Sequence, residues 1–227
     1  VSAAGGFEEP RPDLILPNPG GPADPLGESA LDPAQPWLRV FEPRDVRVVI
    51  GRHQDPEREV LVEACRADGV PIHRRVAGGG TVVLAPGMAV VAIRLANTRT
   101  GTTCWFDLIN QALAPAVEAV AGERPQCRGH GDLCLAHPDG HARKILGASQ
   151  RQTARLVLYL GVFLVADAVP LMERYLRPPS REPDYRGGRD HRAFCTHLGT
   201  RGVAVPDLLA SLERECRQRL ADQALIG

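Results

Sequence analysis

The residue pattern predicts an α+β fold: a mixed, largely antiparallel sheet with flanking helices. Two observations carry that prediction. Short apolar runs of period two arrive in groups separated by turn residues, and stripes of helical period stand between the groups instead of after every strand. Strands that follow one another through tight turns become antiparallel neighbours, whereas a doubly wound parallel sheet needs a helix after each strand. There is no internal repeat, and 227 residues suffice for one sizeable core.

Residues 1–36 carry Pro10, Pro12, Pro17, Pro19, Pro22, Pro25, Pro33 and Pro36 and several glycines. They are expected to form an irregular lead-in, with at most a helical turn around Glu28–Leu31. Residues 37–227 are expected to form a single domain. Strands are expected at Leu38–Phe41 and Val46–Ile50. Asp55-Pro56 has the signature of a helix start, a capping carboxylate followed by proline at the first helical position, and Gly69 a helix end. Strands follow at Ile72–Val76, Thr81–Leu84 and Met88–Leu95, the last two joined by Ala85-Pro86-Gly87. Phe106, Ile109, Leu113, Val117 and Val120 mark a helix from Cys104 to Val120 that Pro115 should kink or split. Four more strands are expected at 126–128, 132–136, 143–149 and 155–165, then a short helix at Val169–Leu176. Ser180–Arg192 is charged and nearly free of apolar residues, so it is expected to be a loop. Leu208, Leu209, Leu212, Cys216 and Leu220 mark a closing amphipathic helix that begins near Pro206.

Composition narrows function before any motif is weighed. The charges balance at 27 against 27, and aromatic residues make up 4%, which argues against a nucleic-acid partner. No apolar run reaches the roughly 18 residues that span a bilayer. The first residues lack a basic region followed by an apolar one, so a cytoplasmic protein is expected. Six scattered cysteines without a Cys-x-x-Cys pair point to reduced thiols.

The basic residues are unevenly divided, 26 arginines to one lysine, and the lysine lies in Ala142-Arg143-Lys144-Ile145-Leu146-Gly147-Ala148-Ser149-Gln150-Arg151. Lysine offers a compact, rotatable point charge that the planar arginine fork does not. A second unusual stretch, Arg74-Arg75-Val76-Ala77-Gly78-Gly79-Gly80-Thr81-Val82, puts three residues without Cβ atoms after two arginines. Backbone N–H groups there can approach an anion closely, yet the loop lies between strands and so is no Walker or dinucleotide loop. Cys127, His130, Cys134, His137 and His141 have a spacing compatible with zinc, although ligands spread along a hairpin converge poorly.

Taken together, Arg74-Arg75 with Gly78-Gly79-Gly80-Thr81-Val82, Gly131-Asp132-Leu133 and Arg143-Lys144-Ile145…Gln150-Arg151 resemble the lipoate-protein ligase A and octanoyltransferase family. Val48 to Gln54, Glu59-Val60 and Tyr185-Arg186 extend the resemblance over roughly Leu38 to Leu198. The resemblance implies a fold shared with biotin-protein ligases. It also implies an enzyme that uses ATP and Mg2+ to activate lipoate as lipoyl-adenylate and passes the acyl group to a lysine of a lipoyl-domain acceptor protein. Carried over residue by residue, it implies that Lys144 and Asp132 are catalytic. Arg75, Gly78, Gly79, Gly80, Thr81 and Arg151 would bind the adenylate, and Gly147 and Ala148 would pack against the acyl chain. This sequence departs from the family pattern at three places. Ala85-Pro86-Gly87-Met88 replaces a His-Asp-x-Gly-Asn segment, Gly131 replaces an Asn, and Leu160-Gly161 replaces a His-Gly pair. The chain ends soon after its last helix, so a separate small accessory subunit is expected if an ATP-dependent step occurs. Two alternatives stay open: a transferase that takes an octanoyl or lipoyl group from acyl carrier protein as a thioester on Cys127, and a non-catalytic subunit that binds lipoyl domains.

Overall fold

The computed structural model describes residues 15–16, 26, 28–99 and 101–224. Most of the lead-in, residues 1–14, 17–25 and 27, therefore lies outside the described residues. The chain builds two sheets that stack face to face, with a helical layer behind the larger one. The smaller sheet holds β1 (Ile15–Leu16), β3 (Arg47–Ile50), β4 (Ile72–Arg74) and β5 (Val82–Leu84) in the order β1-β4-β3-β5, with parallel β1–β4 and β4–β3 pairs and an antiparallel β3–β5 pair. The larger is antiparallel throughout. It holds β2 (Leu38–Phe41), β6 (Met88–Ala96), β7 (Gln126–Arg128), β8 (Asp132–Ala136), β9 (Ala142–Gln152) and β10 (Leu156–Leu164) in the order β2-β6-β10-β9-β8-β7. This is the mixed α+β architecture that the hairpin runs predict.

Strand β10 shows why the sheets stack. All nine of its residues are buried, and alternate ones enter different cores. Leu156, Leu158, Leu160, Val162 and Leu164 face the smaller sheet and the short helices α2 (Val62–Ala67) and α4 (Val169–Tyr175). Val157, Tyr159 and Phe163 face α3 (Thr103–Ala121) and α6 (Val205–Leu220). A strand that is apolar on both faces must be covered on both.

Three expectations need correction. The helix beginning at Asp55 is broken into α1 (Pro56–Glu59) and α2, because Val60 turns extended (φ −123, ψ 143) and pairs with Leu176. Asp55 does cap α1, accepting from the Glu57 N–H at 3.0 Å. Pro115 does not divide α3, which runs as one helix to a left-handed Gly122. The stretch Ser180–Arg192 is not wholly loop: it contains a 3-10 turn at Asp184–Arg186 and the start of α5 (His191–Phe194), capped by Asp190.

The described part of the lead-in packs into the domain. Glu28–Leu31 is a 3-10 turn, Leu26 and Ala30 are buried, and the buried Arg94 of β6 donates to the carbonyls of Pro33 at 3.0 Å and Gln35.

Candidate active site

One face of β9 carries the chemistry, and a bulge decides which residues share it. Leu133 pairs with Leu146 while Cys134 pairs with Lys144, so Ile145 stands opposite no residue of β8. An extra residue shifts side-chain alternation by one. Lys144 therefore shares a face with Gly147, and a Cβ on Gly147 would meet its Cε and Nζ at 2.9 Å. Strict alternation would have put the two on opposite faces.

Lys144 Nζ forms an ion pair with Asp132 Oδ1 at 2.8 Å. The other carboxylate oxygen of Asp132, Oδ2, accepts from the Tyr185 hydroxyl at 2.7 Å. Tyr185 lies in the 3-10 turn, 53 residues away in sequence, and its ring stacks on Phe194 with centroids 5.2 Å apart. The Phe194 ring also meets the cations of Lys144, Arg186 and Arg189 at 5.9, 4.8 and 5.2 Å. Helix α5 is thereby packed against Lys144, and just after it the Thr196 N–H donates to the Lys144 carbonyl at 2.9 Å. Tyr185-Arg186 enters the family resemblance, but the sequence assigned no site role to Tyr185, Phe194, Arg186 or Arg189. The charged character of 180–192 hides them, and only the fold brings them to β9.

The glycine loop lies over the same face. Gly79 sits so close to Ser149 that a Cβ there would come within 3.1 Å of the serine Cβ, and the Gly78 N–H reaches the Gln150 carbonyl at 3.4 Å. Ser149 and Gly147 are two residues apart on one face, roughly 7 Å along the strand. The loop and the lysine are thus neighbours. Among the described residues, the N–H groups of Gly79 and Gly80 find no acceptor, and both residues are exposed. Gly79 has φ +89, and Gly51 approaches so closely that a Cβ on it would lie 2.1 Å from the Gly79 carbonyl. Only glycine allows that approach.

Arg75 holds this loop from beneath. It is buried, and its guanidinium donates to the carbonyls of Gly78 and Gly80 at 2.6 Å each and of Val49 at 3.3 Å. Burial pushes its pKa down to about 10. With its donors spent on carbonyls, Arg75 shapes the loop instead of reaching into the cleft. Thr81 likewise donates its hydroxyl to Gln54 Oε1 at 2.8 Å, the same oxygen that accepts the Gly51 N–H at 3.0 Å. Arg151 lies on the cleft face two residues beyond Ser149, opposite Leu158. Gly147 and Ala148 are separated: Gly147 faces the cleft, while Ala148 packs with the core behind the sheet.

Cys127 is on the wrong side for the lysine. It pairs with Leu133, whose side chain enters the α3 core, and it bonds Asn110 of α3. Cys134 is buried, and burial pushes its thiol pKa up to about 11; Cys127 is exposed, and partial burial of its thiol raises its pKa. Cys127 and Cys134 point to opposite faces of the sheet. Among the described residues, no group of three or more His, Cys, Asp or Glu side chains gathers to hold a metal ion, so the zinc spacing is not realised.

The family model of the lipoyl protein ligase A/B catalytic domain matches residues 26–215. The chain belongs to that family. Among solved structures it resembles the bi-partite lipoate protein ligase of Thermoplasma acidophilum, studied with its E2 lipoyl domain, at 21% identity and a TM-score of 0.70 over 81% of this chain and 71% of that one. A lipoate-protein ligase A bound with ATP matches at 20% identity and a TM-score of 0.70, over 92% and 84% of the two chains. LipL1 of P. falciparum, in complex with lipoate, matches at 18% identity and a TM-score of 0.63, over 82% and 50%. At such identities these likenesses show the fold: that of a lipoate-protein ligase-like enzyme. Among the described residues, no helix is long and apolar enough to cross a membrane.

The departures from the family pattern gain a structural account at two points. Gly131 has φ +93, and a Cβ there would come 2.3 Å from the Phe106 ring. No asparagine fits while that ring covers the turn. Leu160 faces the first core opposite Ser149, where it forms apolar floor.

Proposed function

We propose that this enzyme activates lipoate with ATP and passes the lipoyl group to a lysine of a lipoyl-domain protein. The carrying observation is the juxtaposition on one face of β9 of unpaired loop amides and the Lys144 ammonium, ion-paired to a carboxylate. Gly79 and Gly80 N–H groups would take phosphate oxygens. Lys144 would leave Asp132 and meet the oxygen on which charge develops, where a point donor stabilises it most. In the first step the lipoate carboxylate attacks the α-phosphorus and the bond to pyrophosphate breaks. In the second the acceptor amine attacks the acyl carbon, the C–N bond forms, and AMP leaves with the electrons of the C–O bond.

The ATP-bound and lipoate-bound relatives support both substrates. The relative studied with an E2 lipoyl domain supports the acceptor class, and its bi-partite make-up supports a separate accessory subunit here. Mg2+ would arrive on the nucleotide phosphates, because both Asp132 oxygens already have partners and, among the described residues, no group of three or more His, Cys, Asp or Glu side chains is gathered to hold it. A cytoplasmic setting fits this chemistry.

The cysteine-dependent transfer is disfavoured by the position of Cys127 on the α3 face of the sheet, away from Lys144. One assay separates the readings. The protein is incubated with a lipoyl domain and lipoate with and without ATP, or with octanoyl-acyl carrier protein, and the acceptor is weighed by mass spectrometry. Modification only with ATP, retained in Cys127→Ala, is expected. Modification from the carrier protein that Cys127→Ala abolishes would overturn the ligase reading.

A further inference from the structure

The Asp132 carboxylate has two oxygens in different circumstances. Oδ1 holds Lys144 Nζ at 2.8 Å, on a long side chain that is about a quarter exposed. Oδ2 holds the Tyr185 hydroxyl at 2.7 Å, on a ring wedged between Phe194 and the turn before β8. On that turn Gly129 has φ +53, and a Cβ there would come 3.2 Å from the Tyr185 ring. The backbone behind the ring is fixed as well: Arg189 donates to the Tyr185 carbonyl at 2.7 Å and to the Ala142 carbonyl, at the start of β9, at 3.3 Å. A phenol has one proton to donate. Tyr185 gives it to Asp132 and accepts from the Cys134 thiol at 3.6 Å. Burial beside Asp132 keeps the phenol protonated, well above its usual range.

We propose that Tyr185 is a positioning residue that fixes the plane of the Asp132 carboxylate, leaving Oδ1 as the one oxygen free to change partners. The inference rests on the ligase reading. When Lys144 swings to the acyl-phosphate, Oδ1 is vacated and faces the incoming acceptor. The acceptor ammonium gives one proton to Oδ1, its nitrogen attacks the acyl carbon, and its remaining surplus proton leaves to water after the C–N bond forms. Without the phenol the carboxylate can rotate, and either oxygen can keep hold of Lys144.

The chain's single lysine supplies a test that does not depend on activity. Protein labelled with 13C at lysine Cε gives one side-chain NMR signal, that of Lys144. Tyr185→Phe keeps the ring against Phe194 and removes the hydroxyl that donates to Asp132 and accepts from Cys134. Its Lys144 signal should move toward that of Asp132→Asn, with the thermal midpoint near wild type. In single-turnover transfer from preformed lipoyl-adenylate, Tyr185→Phe should be slower by roughly tenfold to a hundredfold. The double variant should be no slower than Asp132→Asn alone, since the phenol acts through the carboxylate. An unmoved Lys144 signal, or losses that multiply in the double variant, would overturn the assignment. If wild-type protein transfers nothing from preformed lipoyl-adenylate, the ligase reading fails, and the NMR comparison still decides whether Tyr185 sets the Asp132–Lys144 pair.

Discussion

A Cβ placed on Gly147 would stand 2.9 Å from both Cε and Nζ of Lys144. The far end of a flexible side chain can retreat from such a contact at small energetic cost, so Gly147→Ala should fold. What it should lose is the resting place of the ammonium. The expected outcome is a melting temperature near wild type with lipoylation slowed roughly tenfold to a hundredfold, as for other small misplacements of a catalytic group. Acceptor modification followed by mass spectrometry, beside a thermal melt, checks it.

Lys144→Arg is the companion experiment. In this chain arginine replaces lysine at every other basic position. A residue needed only as a cation would tolerate the swap. The planar fork cannot aim one donor at one oxygen, so the rate should drop by roughly a hundredfold or more. Activity near wild type would remove Lys144 from the mechanism.

Arg75→Lys should act on the loop. A lysine cannot bridge the three carbonyls of Gly78, Gly80 and Val49 that the guanidinium holds at once. Nucleotide binding, measured by calorimetry, should weaken more than the Lys144 NMR signal shifts. Unchanged nucleotide affinity would mean that the loop holds its shape without the arginine.

Restoring the family's residue at Gly131 should do harm. Gly131→Asn needs φ +93 and displaces the Phe106 ring, so a loss of roughly 2 kcal/mol or more is expected, read from denaturant unfolding. Gly131→Asn combined with Phe106→Ala should recover the steric part of that loss.

Stability should fall in alkali. Burial raises the Cys65 thiol from about 9 to about 11, so the folded state binds more protons than the unfolded chain across that window. By linkage the contribution is fully present below pH about 9 and is lost as pH rises toward about 11. Melting temperatures recorded across this range should decline, and less steeply in Cys65→Ala.

Much of the site is legible in the residues themselves. Lys144 stands out by composition, Gly78 to Gly80 by their missing side chains, and Asp132 by resemblance. Strands and the two long helices follow from local apolar periodicity, which is a property of a few consecutive residues. Arg75 and Cys127 show where that stops. Each looks functional in its motif, yet one is consumed by carbonyls beneath the loop and the other faces α3.

By itself, then, the sequence determined the element order, the antiparallel bias and the chemical groups at hand. Only the tertiary structure decided which of those groups meet. The unpaired Ile145 turns Lys144 onto the face of Gly147, and the late turn carries Tyr185 across 53 residues to Asp132. The physical reason is that alternation along a strand is local, whereas a bulge, a strand register and a contact between distant segments depend on what packs opposite. No run of neighbouring residues records that.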